Sequence, residues 1–202
     1  MSETMTVAKN GREAASNRLP LEINPAEGAR LASAVKLAAN TDVNACFQCR
    51  KCTSGCPIAY AMDYTPAQIM HAVRLGLKEL ALTSSTIWLC AACETCVARC
   101  PQGVDIVKAM DALRSMCLNE GYKPKEPEVA AFYKYSLNSI QTFGRLYELG
   151  VMGRLKLATR EFRKDWRLGL GLFKRGKLKV IPDFGSAGEM RRMEFRVVRR
   201  KV

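Results

Sequence analysis

An all-α fold is the expectation, and three features of the sequence carry it. Two cysteine-rich runs are each followed by a segment with a helix-start signal and one apolar face, and beyond Pro127 the aromatic residues recur at helical spacing. From the N-terminus, Met1 to about Asn40 begins polar and turn-rich, with Pro20 and Pro25, and ends in a short apolar helix signal over Ala29 to Ala38. This reads as an arm leading into one helix. After the first cysteine run, Thr65-Pro66-Ala67-Gln68 has the form of a capping box with proline at the first helical position. Ile69, Val73, Leu77 and Leu80 continue it as one face, predicting a helix from about Pro66 to Leu80. Thr83 to Thr86 interrupt it, and Ile87-Trp88-Leu89 enter the second run as bulky apolar residues suited to shielding a metal site from water. Asp105 is the expected N-cap of a helix ending near Gly121. Lys123 to Pro127 reads as a hinge, after which Phe132, Ser136, Ile140, Phe143 and Tyr147 keep helical spacing. Leu155, Thr159, Phe162 and Trp166 resume it after a break at Gly150 to Gly153.

The 202 residues are 48% hydrophobic and 25% charged, which suits one or two globular domains and excludes collagen, coiled coil and a wholly disordered chain. Nine cysteines is the unusual number. The N-terminal segment lacks the apolar core of a secretory signal and no run reaches membrane-spanning length, so the expected location is the cytoplasm, where thiols stay reduced. Clustered cysteines there point to metal or redox chemistry.

Eight of them fall in two copies of one pattern, C-x2-C-x2-C-x3-C-P: Cys46, Cys49, Cys52, Cys56 before Pro57, and Cys90, Cys93, Cys96, Cys100 before Pro101. This is the ligand run of two-cluster bacterial ferredoxins, predicting two 4Fe-4S clusters. Three thiolates spaced by two residues on a tight loop converge on three irons of one cube, and the fourth, set after the loop, points to the other. Used as in those ferredoxins, the pattern assigns Cys46, Cys49, Cys52 and Cys100 to one cluster and Cys90, Cys93, Cys96 and Cys56 to the other. Zinc held by paired C-x2-C units is the main alternative, and it leaves the third cysteine and the C-P of each run without a role. Disulfides are the other, and the reducing compartment weighs against them. Helices rather than brief strands follow the loops, so the core over 41–122 is expected to be an α-helical ferredoxin. It is flanked by an N-terminal arm and short helix over 1–40 and a basic helical extension over 123–202. The ninth cysteine, Cys117, shares a helical stripe with Ile106, Met110 and Leu113 and reads as a buried core thiol.

Formal charge is +13, of which residues 141–202 carry +11. Three explanations compete for that basic third. The favoured one is a solvated face of helices whose apolar side docks on a protein partner. Peripheral membrane contact is second, because Leu155 to Lys179 mixes Phe, Trp and Leu with cations, and nucleic acid is last, since no recognised module accompanies the charge. No catalytic residue is expected: eight cysteines saturating two cubes leave no open iron, and one-electron transfer remains. The sole histidine, His71, adjoins the apolar face of its helix and reads as packed. Arg50 and Lys51 in the first loop, against Glu94 in the second, favour a higher reduction potential for the Cys46 cluster.

The two cysteine runs, the helix between them and the Ile87-Trp88-Leu89-Cys90 entry resemble the iron-sulfur C subunit of heterodisulfide reductase and its bacterial relatives, over roughly Asn40 to Gly121. The motif pair is shared with anaerobic glycerol-3-phosphate dehydrogenase, glycolate oxidase and lactate-utilisation proteins. The resemblance implies a hetero-oligomer in which this chain relays electrons between the A and B subunits, the first carrying flavin and iron-sulfur clusters and the second catalytic. The catalytic partner would hold the CCG motifs, absent here, that carry out disulfide reduction or a step of sulfur oxidation. The competing class is an iron-sulfur-stabilised binding module whose basic tail grips nucleic acid or membrane.

Overall fold

The computed structural model describes Asn24 to Thr159, with Gly171 and Gly188 as isolated positions beyond. Among these residues the chain is all-α, with no strand. It divides into one unit ending at Lys125 and another beginning at Glu126.

Capping chemistry starts most of the longer helices of the first unit. Asn24 caps α1 (Pro25–Ala39) by accepting from the Ala26 N–H, and Asn40 ends it in the left-handed conformation. Leu31, Ala32, Val35 and Ala39 turn inward, and α1 packs on α3 and α7, so this helix belongs to the core of the unit. Helix α2 (Lys51–Ser54) is a single turn within the first cysteine run. Thr65 opens α3 (Pro66–Leu75) with a complete capping box: its hydroxyl accepts from the Gln68 N–H and its own N–H donates to Gln68 Oε1 at 2.8 Å.

The helix expected to reach Leu80 stops at Leu75. Gly76 adopts φ 76°, and a new helix, α4 (Lys78–Thr83), starts two residues later. The cause lies far away in sequence: a Cβ on Gly76 would stand 2.4 Å from the Gly28 nitrogen, and one on Gly28 would stand 2.4 Å from the Arg74 carbonyl oxygen. Two backbones cross where only glycine leaves room. Gly28→Ala is therefore expected to destabilise the protein by about 2–3 kcal/mol, read as a lowered denaturant midpoint at unchanged slope; an unchanged midpoint would contradict this crossing.

Helix α5 (Thr86–Leu89) delivers the chain to Cys90, α6 (Thr95–Ala98) is the single turn of the second run, and α7 (Ile106–Asn119) follows. Asp105 caps α7, accepting from the Lys108 N–H at 3.0 Å, and the chain leaves past Gly121 at φ 76° with the Tyr122 N–H on the Cys117 carbonyl. Ile106, Met110, Leu113 and Cys117 form its buried stripe, as the spacing predicted.

One carboxylate organises the entry to the second run. The Asp63 side chain is 19% exposed and accepts from the Ser84 and Thr86 hydroxyls, from the Ser85 and Thr86 backbone N–H groups and from Lys125 at 3.0 Å. Burial alone would raise its pKa, but these hydrogen bonds outweigh it and hold the carboxyl far below the ordinary range. A depressed folded-state pKa contributes stability above the unfolded value near 3.9, lost as pH falls through that value toward the folded one. Asp63→Asn is expected to cost about 2 kcal/mol at pH 7, and the gap to wild type should narrow below about pH 4. Denaturant midpoints at pH 7, 5 and 3.5 measure it; a gap constant with pH would refute it.

In the second unit, α8 (Pro127–Phe143) begins with proline at its first position and ends at Gly144, φ 75°. Helix α9 (Glu148–Thr159) packs against it and runs through Gly150 and Gly153. The break expected at those glycines falls instead at Gly144, the one placed where left-handed backbone is required. Phe132 is 42% exposed, whereas Ser139 is buried and its hydroxyl accepts from the Tyr147 N–H at 2.8 Å. The arm over residues 1–23, Phe162, Trp166 and most of the basic third lie outside the described residues.

Candidate metal centre

The two cysteine runs fold as copies of one loop. Gln48 and Arg50 have φ 57° and 60° in the first, and Ala92 and Glu94 have φ 51° and 58° at the equivalent positions of the second. Left-handed conformations at alternate residues wrap each loop tightly, and backbone of this kind gathers N–H groups into concavities that bind anions, iron-sulfur groups among them. A single helical turn then carries the third cysteine inward. Burial repeats in order: Cys46 and Cys90 are intermediate, Cys49 and Cys93 exposed, Cys52 and Cys96 buried, Cys56 and Cys100 intermediate.

Two small pockets of similar size receive these side chains. The first is lined by Cys46, Cys49, Cys52 and, from the other run, Cys100. The second is lined by Cys90, Cys93, Cys96 and Cys56. Ile106 lines both, and the first turn of α3 gives Ala67 to one and Pro66 to the other, so the pockets are neighbours separated by side chains of helix starts. Single turns α2 and α6 lie against each other, and the Arg99 side chain covers Gly55, where an added Cβ would meet it at 2.8 Å.

Donor chemistry and spacing fit four-iron cubes. Among the described residues no three His, Cys, Asp or Glu side chains gather closely enough for a single metal ion; each pocket instead spreads four thiols around its wall. Hydrogen bonds to sulfur, a lever on cluster potential, are present: the Val104 N–H donates to Cys100 Sγ at 3.3 Å and the Gln48 amide to Cys46 Sγ at 3.3 Å. Burial, with Cys90 adding repulsion, pushes the Cys96 thiol up to about 11, and burial raises Cys52 and Cys90 as well. A hydrogen bond with the Thr95 hydroxyl draws the exposed Cys93 thiol down. Thiols that are neutral at pH 7 must shed protons to become ligands, so metal loading releases protons here.

Two arginines that sequence reasoning passed over hold the loops. Arg74 of α3 donates to the Cys46 carbonyl at 2.9 Å. Arg114 of α7, buried, donates to the Cys90 carbonyl at 2.6 Å, to the Ile87 carbonyl and to Asp111. Each helix that follows a run thus grips the first cysteine of that run. The separations are 28 and 24 residues, so the repeat gives no fixed period to detect. Ile87 and Trp88 do not shield a pocket: both are buried in the core, and the apolar wall of the second pocket is Ile58, Met62, Val107 and Met110. Cys117 is fully buried and lines neither pocket. His71 is exposed rather than packed, since it falls on the polar edge of α3.

Residues 42–104 match the family model of the 4Fe-4S dicluster domain. The cysteine core is a 4Fe-4S dicluster domain. The chain carrying it is similar to heterodisulfide reductase C subunits. It is 38% identical over 91 residues to the iron-sulfur C subunit of the CoB--CoM heterodisulfide reductase of Methanopyrus kandleri, covering 45% of this chain and 47% of that one. The C subunit of the ferredoxin:CoB-CoM heterodisulfide reductase of Methanosarcina acetivorans is 41% identical over 78 residues, 39% of this chain and 31% of that one. A protein of Archaeoglobus profundus named for its likeness to the heterodisulfide reductase C subunit is 29% identical over 136 residues, 67% and 65% of the two chains. The chain spans about half the length of the first of these. No helix among the described residues is long and apolar enough to cross a membrane.

Proposed function

We propose that the chain is the non-catalytic electron-transfer subunit of a cytoplasmic heterodisulfide reductase-like complex. Cys46, Cys49, Cys52 and Cys100 hold one 4Fe-4S cluster, and Cys90, Cys93, Cys96 and Cys56 hold the other. The observation that carries this reading is the pair of four-cysteine pockets sharing Ile106 as a wall, because one cluster suffices to staple a fold whereas two neighbouring ones make a wire. Such clusters, when bound, take up and pass on single electrons. The cysteines fix their number and separation, the loop amides and Gln48 stabilise charge on sulfur, and Ile106 with Pro66 and Ala67 keeps water from between them. The partners are the A and B subunits of the complex, one bearing flavin and the other bearing the CCG motifs that perform the disulfide or sulfur chemistry. The domain over 41–122 is the wire, and 123–202 docks it.

Iron and acid-labile sulfide per chain on anaerobically purified protein, with EPR of the dithionite-reduced sample, test this. About eight irons and two interacting S = 1/2 signals are expected; zinc, or about four irons without a second signal after reconstitution, would overturn it in favour of the binding-module reading. The loop charges add a finer expectation. Arg50→Ala with Lys51→Ala should lower the potential of one cluster by roughly 30–60 mV and leave the other in place; a redox titration in which neither potential moves would remove the electrostatic ordering.

A further inference from the structure

The two pockets match in their cysteines and differ in their rims. Phe47, Arg50 and Lys51 line the first pocket from its own loop, and all three are exposed, Phe47 at 71%. The equivalent positions of the second loop are Ala91, Glu94 and Thr95. Where the first rim has an aromatic ring and two cations, only the Ala91 methyl of the equivalent positions reaches the second pocket, and the second loop carries a carboxylate and a hydroxyl instead of the cations.

Among the described residues neither cation has a carboxylate partner. Lys36, Lys78, Lys108, Arg114 and Lys125 each pair with a carboxylate, whereas Arg50 and Lys51 make no salt bridge with a described residue. Arg50 is exposed and adopts the left-handed conformation within this tightly wrapped loop. An exposed aromatic beside arginine is the composition of a binding anchor. Cys49 is exposed in the same loop, so the metal-binding group itself comes to this surface.

We propose that this rim is the docking surface of an acidic redox partner, with carboxylates facing Arg50 and Lys51 and an apolar recess receiving Phe47. The inference rests on the two-cluster reading above. Cationic rims of this kind act chiefly on association rate and on choice of partner. The exposed Glu94 at the matching position of the other loop repels the same partner, so each cluster is given its own counterpart.

The test uses the full iron-loaded chain, reduced with dithionite and oxidised in stopped flow by ferricyanide or by hexaammineruthenium(III). Each oxidant takes one electron from the chain, ferricyanide becoming ferrocyanide. The Arg50→Glu, Lys51→Glu variant should slow ferricyanide about tenfold at low salt and speed the ruthenium complex. The charge-matched Arg30→Glu, Lys78→Glu variant, at cations of α1 and α4 that line neither pocket, should change either rate by less than about twofold. A second readout needs no turnover: trisoxalatochromate(III), an anionic relaxing agent, should shorten the relaxation of one of the two EPR signals in wild type and lose that effect in the loop variant. Equal response of both signals, or rates that follow the α1 and α4 variant instead of the loop variant, would overturn the docking surface. Iron well below eight per chain or a missing second signal would count against the two-cluster reading instead.

Discussion

Replacing Cys100 with alanine is expected to remove the cluster held with Cys46, Cys49 and Cys52, although those residues belong to the other run. The decisive comparison is between pairs. Single variants Cys49→Ala and Cys100→Ala should each reduce iron from about eight to about four per chain. Combined, they strike one cluster twice, and about four irons should remain. Cys49→Ala with Cys56→Ala strikes both clusters and should leave almost none. If each run held its own cluster, the two double variants would exchange results, so iron analysis with acid-labile sulfide separates the arrangements. The pockets give the reason for the crossed expectation: Cys56 lines the pocket of the second run and Cys100 that of the first. The turn of α2 ends at Gly55, from which the chain passes beneath Arg99 toward the second pocket. Because metal binding contributes folding free energy, each single variant should also lower the unfolding midpoint of the whole first unit.

What could be read from the sequence was whatever is written in neighbouring residues. Cysteine spacing marked both loops, and the capping signals at Thr65 and Asp105 marked the starts of α3 and α7, because a cap is a contact between residues three apart. The features that escaped depend on residues distant in the chain. Gly76 sits inside an apolar stripe that reads unbroken through Leu77 and Leu80; only the passage of Gly28 explains why the helix must end there. Ile87 and Trp88 looked like a cover for the second pocket, yet the short α5 packs on α7 and turns them into the core. Asp63 gave no signal as a single acidic residue, since its partners arrive some twenty positions later. The glycines at 150 and 153 looked like a break because composition cannot tell a tolerated helical glycine from one at a C-terminal cap.

The second large effect belongs to Arg114. Replacing it with leucine is expected to destabilise the first unit by about 4 kcal/mol, more than any other single change outside the cysteines. The guanidinium satisfies the Ile87 and Cys90 carbonyls at once, and its side chain is 11% exposed, so truncation strands two acceptors where water reaches poorly. Asp111, its third partner, is 58% exposed, and Asp111→Ala should cost well under about 1 kcal/mol, since the carboxylate is screened. The anchoring is therefore to backbone rather than to the ion pair. Arg114→Lys keeps the charge but cannot serve two carbonyls with one planar fork, and should recover less than half of the loss. Arg74→Leu removes one bond to the Cys46 carbonyl at a half-buried site and should cost about 1 kcal/mol. Denaturant unfolding of the iron-loaded protein ranks the four variants. If Asp111→Ala proved as damaging as Arg114→Leu, the ion pair and not the grip on the Cys90 loop would be what α7 supplies.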